Sequence, residues 1–454
     1  MDVPPLRQFL KQDFKIKIQK SAWKAEGKIC EVIGNVIVAR LPKCALGTIV
    51  SIEASGKKAP IIGEVVGFKS GKTLLLPYST LSGISSGDFV REQDYHHSIP
   101  VGDFLLGRII DPFLCPLTGP DFNIPSHAER FPIEKDAPNP LLRERISAPL
   151  SLGIRAIDGL ITFGEGQRIG IMSGSGVGKS VLMGMIAKGS ESDVNVIGLI
   201  GERGREVREF IEKELGEEGL KKSVVVVVTS DQSPLMRVRG AKVTTAIAEY
   251  FSSKGAKVLL LMDSLTRVAQ AQREIGISVQ ETPTSKGYTP SVFSLLPRLL
   301  ERCGPQVQGN GSISGLYTVL VDGDDFNDPL PDAVRSILDG HINLSRKLAN
   351  KAHYPAIEVT SSISRVMSDI VTPQQTQIAM HLKSLLACYE ENFDMIQIGA
   401  YQKGVNPLLD LAIYLKPLID QYLIQPMDYL SNIEEAINGL IHIRDQIQKL
   451  QQEE

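Results

Sequence analysis

Cysteine is scarce. The 454 residues hold five (Cys30, Cys44, Cys115, Cys303 and Cys388), scattered, with no CxxC pair and no histidine pattern beside them. That excludes a disulfide framework and a zinc site, and it fits reduced thiols in the cytosol. No apolar run approaches the ~18 residues a membrane helix needs, and the first twenty residues are too charged for a secretory signal. A protein that stays soluble inside the cell is expected. Neither sign of charge dominates: 49 Lys and Arg face 52 Asp and Glu, for a net charge of -3. A surface built throughout to grip nucleic acid is therefore disfavoured. Internal repeats and low-complexity tracts are absent too. What is present is core-forming material, with 43% hydrophobic and 22% charged residues. That is the balance of an ordinary globular protein, in a chain long enough for about three domains at roughly 150 residues each.

The texture changes along the chain. Residues 1–24 (MDVPPLRQFLKQDFKIKIQKSAWK) set Leu6, Phe9, Leu10 and Phe14 at helical spacing and then alternate as KIKIQ. With seven basic and three acidic side chains in residues 1–28, this is a basic amphipathic arm. It reads either as a solvated lead-in or as a contact for a partner or a membrane surface. Residues 25–95 carry short apolar runs (ICEVIGNVIVAR, GTIVSIEA, IIGEVVGF, TLLLPYS) bounded by glycines and prolines, which predicts a small β-barrel or sandwich for scaffolding or assembly. Over 96–366, apolar strands (QRIGIM, VNVIGLIG, SVVVVVT, KVLLLMD, LYTVLVDG) alternate with helical stretches. Such continuous apolar strands imply a parallel sheet buried on both faces, hence an α/β domain. Residues 367–454 read as a helical domain, whose last helix sets Ile433, Ile437, Leu440, Ile447 and Leu450 on one stripe. A core helix is the first reading of that stripe and a partner-facing helix the second.

Chemistry concentrates in SGSGVGKS, residues 173–180, between the strand-like RIGIM and the helix-like VLMGMIAKG. The phosphate-loop pattern GxxxxGK[ST] asks for glycine where Ser173 stands, at the point where strand turns into loop, and a small serine can serve there. Gly174, Gly176 and Gly178 let the backbone around Ser175 and Val177 wrap with its N–H groups inward. Lys179 supplies charge for the β- and γ-phosphates, and the Ser180 hydroxyl can ligate Mg²⁺. A helix beginning near 180 adds its positive end. A nucleotide site also needs a carboxylate for the metal at the end of a neighbouring strand, and Asp263 in KVLLLMDS is placed for it. Asp263 could also cap the helix SLTRVAQAQRE. Ser264 stands directly after Asp263, where many ATPases keep a glutamate that activates water. The candidate base is instead Glu202 in IGLIGERGREVREF, between Gly201 and Gly204. On spacing alone Glu202 could equally pair with Arg203 or Arg205 at the surface.

Further stretches carry a resemblance. GSGVGKS, GERGREVREF, LLLMDSLTR, AQREIG, GYTPSVFSLLPRLLER, DGDDFNDPLPDAVRSILDGHI and HYPAIEVTSSISRVM are similar to the type III secretion and flagellar protein-export ATPases. Those enzymes are relatives of the catalytic subunit of rotary ATP synthases. The resemblance runs from about 25 to 405 and is very specific in 150–370. It implies an N-terminal β-barrel, a RecA-like P-loop ATPase core with a parallel sheet, and a C-terminal helical domain, assembled as a homohexamer. Carried onto this chain, it gives Lys179 and Ser180 the phosphate and Mg²⁺ roles, Glu202 the catalytic role with Arg203 beside it, and Asp263 the metal carboxylate. Tyr354 falls where relatives stack an aromatic on adenine, with a plain core tyrosine as its alternative. Arg365 matches the arginine that reaches across a subunit boundary onto the γ-phosphate, an effect of roughly a thousandfold or more in rate. Three positions depart from the family's pattern. Leu114 replaces a common glycine, so a differently shaped turn is expected. Glu358 replaces aspartate, which bears on the geometry near Arg365. Lys286 replaces arginine and gives up a bidentate fork.

The expectation is an ATP- and Mg²⁺-dependent motor that releases export cargo from chaperones and feeds it to the gate. The implied partners are a stator-like regulator at the N-terminal arm, a central stalk protein, membrane proteins of the export gate, and cargo–chaperone complexes; no nucleic acid is expected. The implied place is the cytoplasm, peripherally on the inner-membrane export apparatus, and the wording of ISRVM and NDPLPDAVRSILDGH leans flagellar. A Rho-like RNA translocase shares this core but needs aromatic and basic side chains interleaved in its barrel. Residues 25–95 offer only Phe68, Tyr78, Phe89 and Tyr95, with no such interleaving. A non-catalytic, nucleotide-binding assembly subunit is the third reading, and the joint presence of Lys179, Glu202, Asp263 and Arg365 speaks against it.

Overall fold

The computed structural model describes residues 25–54, 59–93, 97–119, 122–307, 311–321 and 328–453. The basic arm of residues 1–24 lies outside that set. The chain divides into two compact units, 1–96 and 97–454, so the border expected at 366 falls within the second.

In the first unit, six strands close into a barrel in the order β1-β2-β5-β4-β3-β6. They are β1 (Glu26–Ile33), β2 (Val36–Arg40), β3 (Ile49–Glu53), β4 (Ile61–Lys69), β5 (Lys72–Pro77) and β6 (Phe89–Glu92). Each pairing is antiparallel. Closure leaves no free edge for the β-branched sequence to template upon. Ile29, Ile37, Val50, Ile52, Val65, Leu75 and Val90 fill the interior. Of the two shapes the sequence allowed, it is the barrel.

The second unit contains the remaining strands: β7 (Ser98–Val101), β8 (Ile109–Ile110), β9 (Glu129–Pro132), β10 (Arg168–Ser173), β11 (Val194–Glu202), β12 (Ser223–Thr229), β13 (Lys257–Asp263), β14 (Gly304–Pro305), β15 (Ser312–Leu320), β16 (Gly340–Leu344) and β17 (Ile357–Ser364). Strands β7 and β9 pair by themselves. The others make a nine-stranded sheet in the order β17-β16-β10-β15-β13-β11-β12-β8, with β14 beside β15. The run from β16 to β8 is parallel, and β17 and β14 are antiparallel to their partners. The five apolar stretches read as strands all fall in this sheet, and β11, β12, β13 and β15 are buried along nearly their full lengths. Burial on both faces is what a run such as SVVVVVT requires.

Three long helices follow: Pro373–Glu391, Pro407–Leu423 and Ile433–Glu453. Leu382, Leu385, Ile419, Tyr422, Leu440, Ile443 and Ile447 share one apolar cluster with Ile157, Leu160 and Ile171 of the core. The last helix is therefore a core helix, with Ala436, Leu440, Ile443 and Ile447 buried and Ile433 and Ile437 partly so. Leu450 is outside the side chains described. The Gln375 amide donates to the carbonyls of Asp158 and Gly159 at 3.2 Å, and that of Gln425 to Gly153 at 2.7 Å. These satisfied polar contacts seat the helices in one register.

Two expectations about unusual positions change. Leu114 keeps the glycine-type conformation, with φ +65°, so the turn retains its shape. The Asp111 side chain holds it by accepting from the N–H groups of Phe113 and Cys115 at 2.8 Å, and Leu114 is buried. Glu358 does not bear on Arg365: it pairs with Asn343, at the opposite end of β17. Lys286 reaches the carboxylate of Asp328 at 3.1 Å, the side chain that caps the helix Pro329–Ile337.

Candidate nucleotide-binding site

Strand β10 delivers Ser173 to the carboxyl edge of the sheet, and the helix Lys179–Gly189 starts six residues later. Gly176 and Gly178 hold φ of +76° and +88°, values a side chain resists, so the loop curls and Gly178 ends in the left-handed region before the first helical turn. A Cβ on Gly178 would also crowd Tyr354, whose ring edge stands 3.3 Å away. Val177 is buried under the loop, while Ser175, Gly176 and the Ser180 hydroxyl face solvent. The free N–H groups of the first turn and the helix dipole make this an anion cradle.

The neighbouring strands supply the carboxylates. Asp263 ends β13, and its Oδ1 accepts from Lys179 Nζ at 2.5 Å and from the Thr318 hydroxyl at 2.6 Å. Helix capping falls instead to Ser264, whose side chain accepts from the Arg267 N–H, so Asp263 is turned wholly towards the loop. Its peptide bond to Ser264 is cis. Glu202 ends β11, where a bulge interrupts the pairing with β12. Gly201 makes the bulge with φ +76°, and a Cβ there would strike the Arg267 side chain at 2.7 Å. The kink re-aims the next side chain. Glu202 turns inwards, with Oε1 3.5 Å from Lys179 Nζ and with no hydrogen-bond partner for that buried oxygen.

Four adjacent strands, β10, β15, β13 and β11, thus each carry one element of the cluster at their carboxyl ends, where open α/β sheets bind ligands. The electrostatics are tense. Burial, and then the charge of Asp263, push the Glu202 carboxyl up to about 7, against the pull of Lys179. Burial opposes the charge on Lys179, but the two carboxylates outweigh it and raise its pKa. One ammonium serves two carboxylates, so the cluster keeps an unpaired charge and an orphaned oxygen.

The remaining predicted residues separate. Tyr354 is 45% exposed, on the loop between β16 and β17 at the same edge as the phosphate loop, and is no core tyrosine. Arg203 is turned to solvent and pairs with Glu206 at 3.6 Å, as Arg205 does with Glu209 at 3.2 Å. The surface pairing considered for Glu202 belongs to these neighbours. Arg365 is exposed at the end of β17, with its N–H on the Asp339 carbonyl at 2.9 Å. Asp339 in turn bonds to Arg168, the first residue of β10. The six residues of β10, at about 3.3 Å each, separate Arg365 from the phosphate loop. It sits at the amino edge of the sheet, out of reach of Lys179 in its own chain.

Family models match three segments: the ATP synthase alpha/beta family β-barrel domain over 29–93, that family's nucleotide-binding domain over 153–364, and the T3SS EscN ATPase C-terminal domain over 371–442. The flagellum-specific ATP synthase of Bacillus subtilis is 50% identical over 420 residues, covering 92% of this chain and 95% of that protein. The type 3 secretion system ATPase of Xanthomonas euvesicatoria is 46% identical over 419 residues, covering 92% and 94%. The chain belongs to the flagellar and type III secretion ATPase family. The assembled ATPase EscN of enteropathogenic E. coli superposes with a TM-score of 0.86 at 45% identity, over 92% of this chain and 99% of that one. EscN in complex with its central stalk EscO gives 0.84 at 44% identity, with the same coverage. The fold of this export ATPase, from barrel to helical region, is the one those chains adopt.

Sequence reasoning missed two contacts in the export ATPase site. Thr318 is fully buried in the apolar run LYTVLVDG, and the only signal for it was a polar residue in register beside Asp263. The Gln425 N–H, beyond the helix Pro407–Leu423, donates to the Tyr354 carbonyl at 2.9 Å, tying the loop beside the phosphate cradle to the C-terminal helices. No sequence signal announces that bond.

Proposed function

We propose that this chain is the ATPase of a type III export apparatus, flagellar by preference, and that Lys179, Ser180, Glu202 and Asp263 perform its chemistry. The observation that carries the reading is the single ammonium of Lys179 held between Asp263 and Glu202 over an open glycine cradle. Among the described residues no three His, Cys, Asp or Glu side chains could cage a metal. That suits Mg²⁺, which keeps few protein ligands and shares the substrate's phosphates. Asp263 and the exposed Ser180 hydroxyl are the oxygen donors that would hold it. When bound, Mg²⁺ offsets charge on the phosphate oxygens.

Residues 174–180 would wrap the phosphates of ATP with their N–H groups. Lys179 would exchange its carboxylate partners for phosphate, and Tyr354 would cover the adenine. Glu202, released from the ammonium, would orient the attacking water and hold its proton. Arg365, remote from its own cradle, would serve the cradle of the next copy and stabilise charge on the transferred phosphoryl group. A ring of identical chains, a homohexamer, is then self-sufficient. Arg203, being exposed, would act only at such an interface. Changes at Tyr354 would reach the C-terminal helices through its bond to Gln425 and so move the part that meets a central stalk, the export gate and cargo–chaperone complexes. Among the described residues no helix is long and apolar enough to cross a membrane, in keeping with a cytoplasmic motor held peripherally at the export apparatus, where the basic arm would take a stator-like regulator. The test is Glu202→Gln. ATP binding is expected to persist while turnover falls by about a hundredfold or more; turnover like the parent's would overturn the assignment.

A further inference from the structure

Thr318 has no part in the chemistry above, yet its surroundings hold it tightly. It lies on β15, the strand between β10 and β13, in register beside Ile171 on one side and one step beyond the pair Met262–Tyr317 on the other. Ladders on both flanks fix its backbone, and its β-branched side chain has little freedom at χ1. It is wholly buried. An ionised carboxylate only accepts hydrogen bonds, so at 2.6 Å from Asp263 Oδ1 the hydroxyl must be the donor.

The same oxygen also receives Lys179 at 2.5 Å. The two donors differ in permanence. Lys179 ends a long flexible stem, and in the reading above it leaves for the phosphates. Thr318 cannot leave, because it is part of the sheet. Without it, Asp263 Oδ1 would keep neither of these two donors at the moment when its orientation matters. A carboxylate rotating freely about its terminal bond presents a metal with no fixed lone pair.

We infer that Thr318 is a positioning residue for the metal carboxylate: its hydroxyl pins Asp263 Oδ1 so that the side chain presents a constant face to Mg²⁺ whether or not Lys179 is engaged. The inference rests on the assignment of Asp263 to the metal. It also accounts for a buried hydroxyl between Tyr317 and Val319 near the carboxyl end of a sheet strand, a place where valine would pack as well without the cost of burying a polar group.

The experiment measures binding of a fluorescent ADP analogue to the full chain, with Mg²⁺ titrated and with chelator present, for the parent, Thr318→Val, Thr318→Ser and Asp263→Asn. Outer-shell partners of metal ligands typically contribute about 10–100-fold in metal affinity or activity. Thr318→Val is expected to raise the Mg²⁺ concentration needed for tight binding by about that factor, while binding in chelator stays at the parent's level. Thr318→Ser, which keeps the donor, is expected to stay within about threefold of the parent. Parent-like Mg²⁺ dependence in Thr318→Val overturns the inference, and so does an equal loss in the valine and serine variants. If Asp263→Asn loses the Mg²⁺ dependence and Thr318→Val does not, only the positioning role fails. If Asp263→Asn keeps it, the metal assignment itself fails.

Discussion

Ser173 makes the residue-scale argument in small form. It occupies the first position of the phosphate loop, is 1% exposed, and its hydroxyl has no hydrogen-bond partner. A buried hydroxyl left unpaired costs about 1–3 kcal/mol. Ser173→Ala is therefore expected to stabilise the nucleotide-free chain by about 1 kcal/mol, read as a higher melting temperature, with nucleotide affinity unchanged. A lower melting temperature or a tenfold loss of affinity would mean that the hydroxyl finds a partner in the loaded site. The residues whose chemistry depends on spacing were legible beforehand: Lys179 and Ser180 from the loop pattern, Asp263 from its place after an apolar strand. Glu202 was open on spacing alone, because what takes it out of surface pairing is the Gly201 bulge, which turns Glu202 inwards and leaves Arg203 outside. Thr318 was not legible, since one hydroxyl in an apolar strand carries no pattern of its own.

At the scale of elements, the strands of the sheet announced themselves because burial on both faces demands unbroken apolar runs. The contacts between elements did not, since they join residues far apart in sequence. One such contact couples β17 to the helix Pro373–Glu391. The Thr360 hydroxyl lies 2.9 Å from Glu358 Oε1 and 3.4 Å from Glu390 Oε2. Burial, then the charge of Glu358, push the Glu390 carboxyl up to about 7, with Lys416 pulling the other way. The folded chain therefore keeps a proton that the unfolded chain releases near the ordinary glutamate value. The stability this confers is full below that value and is lost as pH rises through about 7. Glu390→Gln is expected to flatten the fall of melting temperature between about pH 5 and pH 8. A variant whose melting temperature falls in parallel with the parent's would show that the pair is not felt by the fold.

At the scale of the molecule, the proposed site residues divide between the two edges of one sheet. The carboxyl edge holds the cradle, Lys179, Asp263 and Glu202, and the amino edge holds Arg365, separated from them by the length of β10. With the proposed role for Arg365, a chain with this arrangement would not complete its own chemistry, and a ring of copies would. The resemblance seen in the sequence implied the ring. It could not have shown why Arg365 lies out of reach of its own cradle, because that follows from β17 running antiparallel to β16 and so ending at the amino edge. The most direct measurement is ATP hydrolysis by mixtures of two inactive chains, Lys179→Ala and Arg365→Ala. Each homogeneous preparation is expected to lose about a thousandfold or more in rate. Mixed rings are expected to regain activity, because an interface that joins the Arg365→Ala chain's cradle to the Lys179→Ala chain's arginine holds every group. Mixed rings confirmed by mass that stay as inactive as their components would contradict the account.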